Sequence, residues 1–376
     1  MGNGDPLAWL AGAAEQRERA GLRRTLRTRV ADDHGLDLAG NDYLGLSRNP
    51  DVIEAGVSAL RTWGAGSTGS RLVSGSTALH AELDGALARF TGAEAGLVCA
   101  TGYAANLAAV TALSGPGSLI VSDASNHASI VDACRLSRAR VVVTPHNDVD
   151  AVRSALADRT EQRALVVTDS LFSVEGDLAP LADLHGVCRE HSAVLLTDEA
   201  HAIGVIGDGR GAVHTAGLAG EPDVVQTVTL SKALGAQGGA VLGRSDVIGH
   251  LIDTARAVIF DTGLAPAPAA SALEALRIIE RTPELVRSVQ QRAATIAGIV
   301  GVPVPEGAVV SVVLGDPDRA VALRDVLGEH GVRVGCFRPP SVAAGRSCVR
   351  LTARADLTDD ELELLAKVWR AAQPGR

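Results

Sequence analysis

The sequence predicts an α/β fold: a large domain with a mostly parallel sheet flanked by helices, joined to a smaller α+β domain at the C-terminal end. Apolar runs of four to six residues at 95–99, 118–122, 140–144, 164–168, 193–197 and 224–230 alternate with helical patterns, as in a sheet covered on both faces. Two of these runs end alike, Val166-Val-Thr-Asp169 and Leu195-Leu-Thr-Asp198. In open α/β sheets, polar groups just past the carboxyl ends of strands line the ligand crevice. A chain of 376 residues also exceeds one small core, and from about residue 263 strands and helices interleave within a stretch of ordinary domain size.

Taken in order, the chain opens with an arginine-dense amphipathic helix expected over about 6–28. The extended piece Leu36-Asp-Leu-Ala39 and the turn-rich Asn41-Asp-Tyr-Leu-Gly45 follow, completing an N-terminal segment, 1–45. Helices near 50–62 and 77–90 flank the loop Gly64-Ala-Gly-Ser-Thr-Gly-Ser70 and begin the large domain, 46–263. The C-terminal domain, 264–376, has helices near 266–281 and 283–299, then Val309–Leu314, a helix at 317–330, Val332–Val334, Cys348–Thr352 and a last helix. Thr358 and Glu361 form a capping box for that helix, and Glu363 is spaced to pair with Lys367.

Composition removes several function classes. A net charge of −9 argues against nucleic acid as a partner, because phosphate binding needs a concentrated basic face. Five cysteines without a C-x-x-C pair indicate neither a disulfide framework nor a zinc site. The opening Met1-Gly-Asn-Gly-Asp-Pro6 lacks a charged-then-apolar pattern and no apolar run approaches membrane length, so a cytoplasmic setting is expected. The charged residues hold one oddity: two lysines against 33 arginines. Guanidinium stays protonated in proteins, whereas a lysine amine can be tuned down to attack a carbonyl. Lys367 suits a solvated helix face. Lys232, in Thr229-Leu-Ser-Lys232-Ala-Leu-Gly235 directly after an apolar strand, is the candidate nucleophile.

Other residues extend that chemistry. Asp198, in Asp198-Glu-Ala-His201, reads either as a helix N-cap or as the partner of a protonated pyridine nitrogen, the device that makes pyridoxal phosphate (PLP) an electron sink. His127 opens a helix after the strand at 118–122, as a cap or as an aromatic face against a cofactor ring. Gly102-Tyr-Ala-Ala-Asn106 begins a helix whose N–H groups suit a phosphate, or is only a tight turn. Thr229 adds a hydroxyl. Asp169 and Ser173 fall on the same rim. His127, Asp198 and His201 also read as a metal trio, but that leaves Lys232 and the glycine loops unused, so no metal is expected. Gly207–Gly211 and Gly235–Gly239 lack the G-x-G-x-x-G spacing of a dinucleotide loop. Arg23 or Arg24, and Arg350, are candidate clamps for a substrate carboxylate.

Taken together, the motifs Asn41-Asp-Tyr-Leu-Gly-Leu-Ser47, Gly66–Gly75 with His80, Gly102–Asn106, Asn126–Ile130, Phe172–Pro180, Asp198–His201 and Thr229–Gly235 run nearly the full chain. They resemble the α-oxoamine synthases, which have the PLP-dependent transferase fold type I. The resemblance implies that Lys232 bonds covalently to PLP, that Asp198 partners its pyridine nitrogen, and that His201, with Ser173 nearby, contacts its phenolic oxygen. It further implies that His127 stacks on the ring, with Lys232, His127 and Asp198 as the catalytic set, and that Gly102, Tyr103 and Thr229 hold the phosphate. Thr262 and the Gly66–Ser70 loop would reach the site across a homodimer interface, and Arg23, Asn41 and Arg350 would recognise substrate.

Within the family, Cys336-Phe-Arg-Pro-Pro-Ser341 and Val349-Arg-Leu-Thr352 resemble the member that condenses L-alanine with a pimeloyl thioester, pimeloyl-CoA or pimeloyl-acyl carrier protein, in biotin biosynthesis. The alternatives are a relative using glycine with succinyl- or acetyl-CoA, a metal-dependent hydrolase built on the histidine trio, and a binding protein without turnover. Two positions depart from the family pattern. Asp261 replaces a hydroxyl residue beside Thr262, and Arg354-Ala-Asp-Leu357 lacks the usual histidine.

Overall fold

A computed structural model describes residues 5–372; residues 1–4, part of the opening searched for a leader pattern, and residues 373–376 lie outside it. The strands are β1 (Leu36–Leu38), β2 (Ala95–Cys99), β3 (Ser118–Asp123), β4 (Arg140–Thr144), β5 (Arg163–Asp169) and β6 (Val194–Asp198). They continue with β7 (Val224–Thr229), β8 (Gly239–Gly243), β9 (Val309–Gly315), β10 (Val332–Phe337) and β11 (Ser347–Thr352). The helices are α1 (Trp9–Arg19), α2 (Pro50–Trp63), α3 (Ala78–Thr91), α4 (Gly102–Leu113), α5 (Ala128–Ser137), α6 (Val149–Ala157) and α7 (Leu181–Glu190). After them come α8 (Ala212–Thr215), α9 (Ser245–Thr254), α10 (Arg256–Ile259), α11 (Pro266–Arg281), α12 (Glu284–Val300), α13 (Pro317–Glu329) and α14 (Asp359–Ala371).

Seven strands form the large sheet in the order β2-β8-β7-β6-β5-β3-β4, and every neighbouring pair from β7 to β4 is parallel. Strand β8 alone runs antiparallel to its neighbours. Side chains alternate between the faces of a strand, and each face here has its own apolar core. Ile120, Leu165, Val167, Leu196 and Val225 pack on one side with Ala105, Ala109 and Ile130. Leu119, Val121, Val166, Leu195 and Val224 pack on the other with Leu83, Leu87, Leu184 and Val187. Continuous apolar runs are therefore required, which is why six of these strands are legible from sequence. The seventh, β8, is five residues bounded by glycines. Gly239 has no room for a side chain, because a Cβ there would lie 2.5 Å from Gly102 Cα.

The smaller sheet, in the order β1-β10-β11-β9, is antiparallel except at one edge. There β1 lies parallel to β10, with Leu36 opposite Val332 and Leu38 opposite Val334. The N-terminal segment thus completes the C-terminal sheet. Helix α11 packs on α2 and α3, tying the two halves of the chain together. The capping box forms as expected: Thr358 Oγ1 accepts the Glu361 N–H and Glu361 Oε2 accepts the Thr358 N–H.

Two expectations need correction. The first helix ends at Arg19 rather than near 28, because Gly21 adopts φ 63° and turns the chain. Beyond it Arg338 holds the Gly21 and Arg23 carbonyls, and Arg27 pairs with Asp325 on α13. Lys367 is exposed as expected, but no Glu363–Lys367 ion pair forms among the described residues. No described helix is long and apolar enough to cross a membrane.

Candidate active site

Parallel register brings the strand ends level. Asp169 at the end of β5 stands opposite Asp198 at the end of β6, and Lys232 follows β7. The rim these ends share opens on a cavity of about 210 Å³ lined by His127, Asp169, Asp198, His201, Thr229 and Lys232, together with the start of α4. The crevice anticipated from the two matching strand ends is thus present at the carboxyl edge of the sheet.

Asp198 is 7% exposed, and no helix follows it directly, so it is not an N-cap. Its Oδ1 accepts the Ala200 N–H at 2.9 Å and its Oδ2 accepts Asn106 Nδ2 at 2.7 Å. His127 is the N-cap of α5, with Nδ1 accepting the Ser129 N–H at 3.2 Å, and it also lines the cavity. An accepting Nδ1 assigns the proton of the neutral ring to Nε2. Burial lowers the His127 pKa, and the charge of Asp198 only partly opposes this.

Lys232 is half-buried and lines the cavity. Burial pulls its pKa down from 10.5 to about 8, against the pull of the Asp198 and Asp169 carboxylates, and the Arg350 charge adds to the lowering. The free amine is the reactive form, so reactivity rises as pH climbs through the folded pKa. In the cofactor-free protein, acylation of Lys232 by an amine-selective reagent is expected to show its midpoint at about pH 8, read by peptide mass mapping. A midpoint near 10.5 would mean an ordinary solvated amine.

His201 is buried, and its pKa lies well below 6.5, first through burial and then through the charges of Lys232 and Arg350. Tyr43 is fully buried with its pKa raised by burial, so its hydroxyl donates to His201 Nδ1 at 2.5 Å. That assigns the His201 proton to Nε2. Arg350 on β11 is 4% exposed. Its Nη1 donates to the Ser173 carbonyl and its Nη2 to Asn41 Oδ1, both at 2.8 Å, while Phe337 stacks 4.5 Å from the guanidinium. Its buried Nε has no hydrogen-bond partner among the described residues. Asn41 and Ser173 thus converge on Arg350 beside the cavity rather than in its wall.

Other residues singled out from sequence fall elsewhere. Arg23 is exposed and paired with Glu18 at 3.0 Å, outside the cavity wall. Thr262 is exposed on a small crevice with Arg71 and Asp261, also outside that wall. Tyr103 lines the cavity mouth, where its hydroxyl donates to Asp132 at 2.5 Å. Among the described residues, the one set with ligand atoms spaced for a metal is His185, Glu221 and Asp223, not His127, Asp198 and His201. Arg189 already pairs with both carboxylates of that set. Leu357, where the family histidine is absent, is buried among apolar residues. Sequence reasoning assigns no role to Asn106, Ser129 or Tyr43. All three lie inside recognised motifs, the one signal available.

A family model for aminotransferase class I and II matches residues 33–368. The chain belongs to the class I and II aminotransferase family. This family member is 62% identical over 365 residues to 8-amino-7-oxononanoate synthase of Mycolicibacterium smegmatis, covering 96% of each chain. It is also similar to a solved serine palmitoyltransferase from S. paucimobilis with a bound PLP–myriocin aldimine, at 29% identity, TM-score 0.91 and 98% of each chain. A third relative is the solved 8-amino-7-oxononanoate synthase of Francisella tularensis, at 25% identity and TM-score 0.76, covering 90% of this chain and 98% of that one. The fold is that of the PLP-dependent type I enzymes, the resemblance to α-oxoamine synthases holds, and the cofactor is PLP.

The chain's own residues fit that cofactor. The cavity holds an amine of lowered basicity and a carboxylate gripped by two donors. At its edge, a Cβ on Gly102 would meet Thr229 Cβ at 3.0 Å, so glycine lets the start of α4 close on that strand end. The first N–H groups of a helix have no intrahelical partner, and the Thr229 and Ser231 hydroxyls lie 2.7 Å apart beside them. That donor set suits a phosphate dianion.

Proposed function

We propose that this family member condenses L-alanine with a pimeloyl thioester, on CoA or acyl carrier protein, releasing carbon dioxide and giving 8-amino-7-oxononanoate. The observation that carries the proposal is Lys232, an amine with a pKa near 8 sharing one small cavity with Asp198, in a chain 62% identical to a protein of that name. Bound PLP supplies an electron sink for the pair left at the substrate Cα.

Every other task falls to side chains. Lys232 Nζ takes the Cα proton as general base and returns one to the product. With PLP bound, Asp198 would hold the proton on its pyridine nitrogen and His201 Nε2–H would donate to its phenolic oxygen. His127 would shield it from water, and Gly102, Tyr103 and Thr229 would hold its phosphate. Arg350, braced by Asn41 and Ser173 beside the cavity, supplies the positive charge that would recognise the substrate carboxylate. Arg23 is the weakest of the proposed substrate contacts, since it would have to leave Glu18.

The proposed division puts the cofactor in 46–263 and the substrate clamp in 1–45 and 264–376. The cytoplasmic setting read from the sequence belongs to the same proposal, as does a homodimer with shared sites. Thr262 and the Gly66–Ser70 loop share one patch, where Gly263 N–H donates to the Gly69 carbonyl and Ser67 Oγ to the Leu264 carbonyl. Leu72, Val73 and Phe260 expose apolar surface along these segments, consistent with a partner subunit.

Purified protein reconstituted with PLP and given pimeloyl-CoA should release carbon dioxide and free CoA with L-alanine. Glycine should give less than about one-tenth of that rate, the discrimination expected from a pocket shaped around a methyl group. Faster turnover of glycine with succinyl- or acetyl-CoA would replace this assignment with the glycine-using alternative.

A further inference from the structure

We propose that Asn106 is the positioning residue that holds Asp198 and His127 in register in the wall of the cofactor site. The inference rests on the roles of Asp198 and His127 given above. Asn106 lies in the second turn of α4 and is 2% exposed. Its Nδ2 donates to Asp198 Oδ2 at 2.7 Å and to Ser129 Oγ at 2.8 Å, and its Oδ1 accepts from Thr227 Oγ1 at 2.6 Å.

The amide orientation follows from its neighbours. A carboxylate only accepts, so the group facing Asp198 is the NH₂, and both its hydrogens are used. Ser129 Oγ, accepting from Asn106, turns its own proton to His127 Nδ1 at 2.7 Å. An unbroken chain therefore runs from Thr227 on β7 through Asn106 on α4 to Asp198, and in parallel through Ser129 to His127 at the start of α5. Each of Asn106, Ser129 and Thr227 is buried, so rotating one side chain leaves another buried polar group without its partner. An asparagine that merely filled space would need only one of these bonds.

Asn106→Asp tests this with unchanged shape, because a carboxyl offers one donor at most and cannot serve both Asp198 and Ser129. Two readouts apply: the PLP dissociation constant by titration, and the tautomer of His127 in cofactor-free protein from its ring ¹⁵N shifts. Asn106→Asp is expected to weaken PLP binding by about tenfold or more, the size of one lost hydrogen bond to a charged group, and to mix the His127 tautomers. Ser129→Ala should mix the tautomers while weakening PLP binding less than Asn106→Asp does.

PLP affinity within about twofold and unchanged ¹⁵N shifts in Asn106→Asp would overturn the proposal. If that variant fails to fold, Thr227→Val removes only the donor that fixes the amide, with the same two changes expected and the same null result overturning it. Wild-type protein whose bound PLP is not linked to Lys232 would instead refute the parent reading, while the His127 shifts still decide the network.

Discussion

Lys232→Ala is expected to lower turnover by about 10⁴-fold, because one side chain is both the covalent anchor and the general base. Bound PLP should lose the absorbance of its lysine linkage yet remain in the site, since Asp198, His201 and the start of α4 are untouched. Lys232→Arg sharpens the test. It keeps a long cationic side chain, but guanidinium does not give up its proton near neutral pH, so the variant should be as inactive as Lys232→Ala. The chain carries arginine at 33 positions and lysine at two, so composition favours arginine here and chemistry does not. Turnover of Lys232→Arg within tenfold of wild type, measured as CoA release, would remove the base role from this residue.

Asp198→Asn should produce the second largest loss, with an additional signature. The substitution preserves shape but removes the negative charge that holds a proton on the pyridine nitrogen. Deleting one partner of a buried charge pair costs about 3–5 kcal/mol, or roughly 10²- to 5 × 10³-fold in rate. Asp198 also raises the pKa of Lys232, opposing burial. Without that carboxylate the ammonium form loses support, so the midpoint of Lys232 acylation should fall below 8. The same reasoning lowers His127 further, since Asp198 is the group that raises it. A rate loss with no movement of the Lys232 midpoint would place Asp198 outside the electrostatic reach of the amine.

Much of this site is legible in the amino-acid sequence. Lys232, Asp198, His201 and His127 each follow a buried strand, and a strand end at the carboxyl edge of a parallel sheet faces the crevice whatever the loops do. Arg350 and Asn41 are proposed as substrate residues through their motifs. The meeting of Asn41 and the Ser173 carbonyl at Arg350 depends on β11, the N-terminal segment and the Phe172–Pro180 loop coming to one point. Arg23 stands outside the cavity wall for a local reason: the helix expected to carry it stops at Arg19, and the following arm is pinned by Arg338 and Asp325. Strand β8 gives no clear signal because its ends are glycines, and one of them, Gly239, is required by the close approach of α4 rather than by any strand pattern.

The sequence by itself determined the alternation of strands and helices, the two apolar faces of the large sheet, and the identity of the residues at its carboxyl edge. These follow from short continuous apolar runs and helical spacing, which are local properties of a chain. Tertiary structure alone decided that β1 completes the distant C-terminal sheet, that Tyr43 fixes the tautomer of His201, and that Asn106 joins Asp198 to His127. It also decided that Lys232 loses its proton near pH 8. Asn106 and Asp198 are 92 residues apart and Tyr43 and His201 are 158 apart. No spacing encodes such pairs. They form when packing removes water from both partners, and the same desolvation lowers the basicity of the lysine beside them.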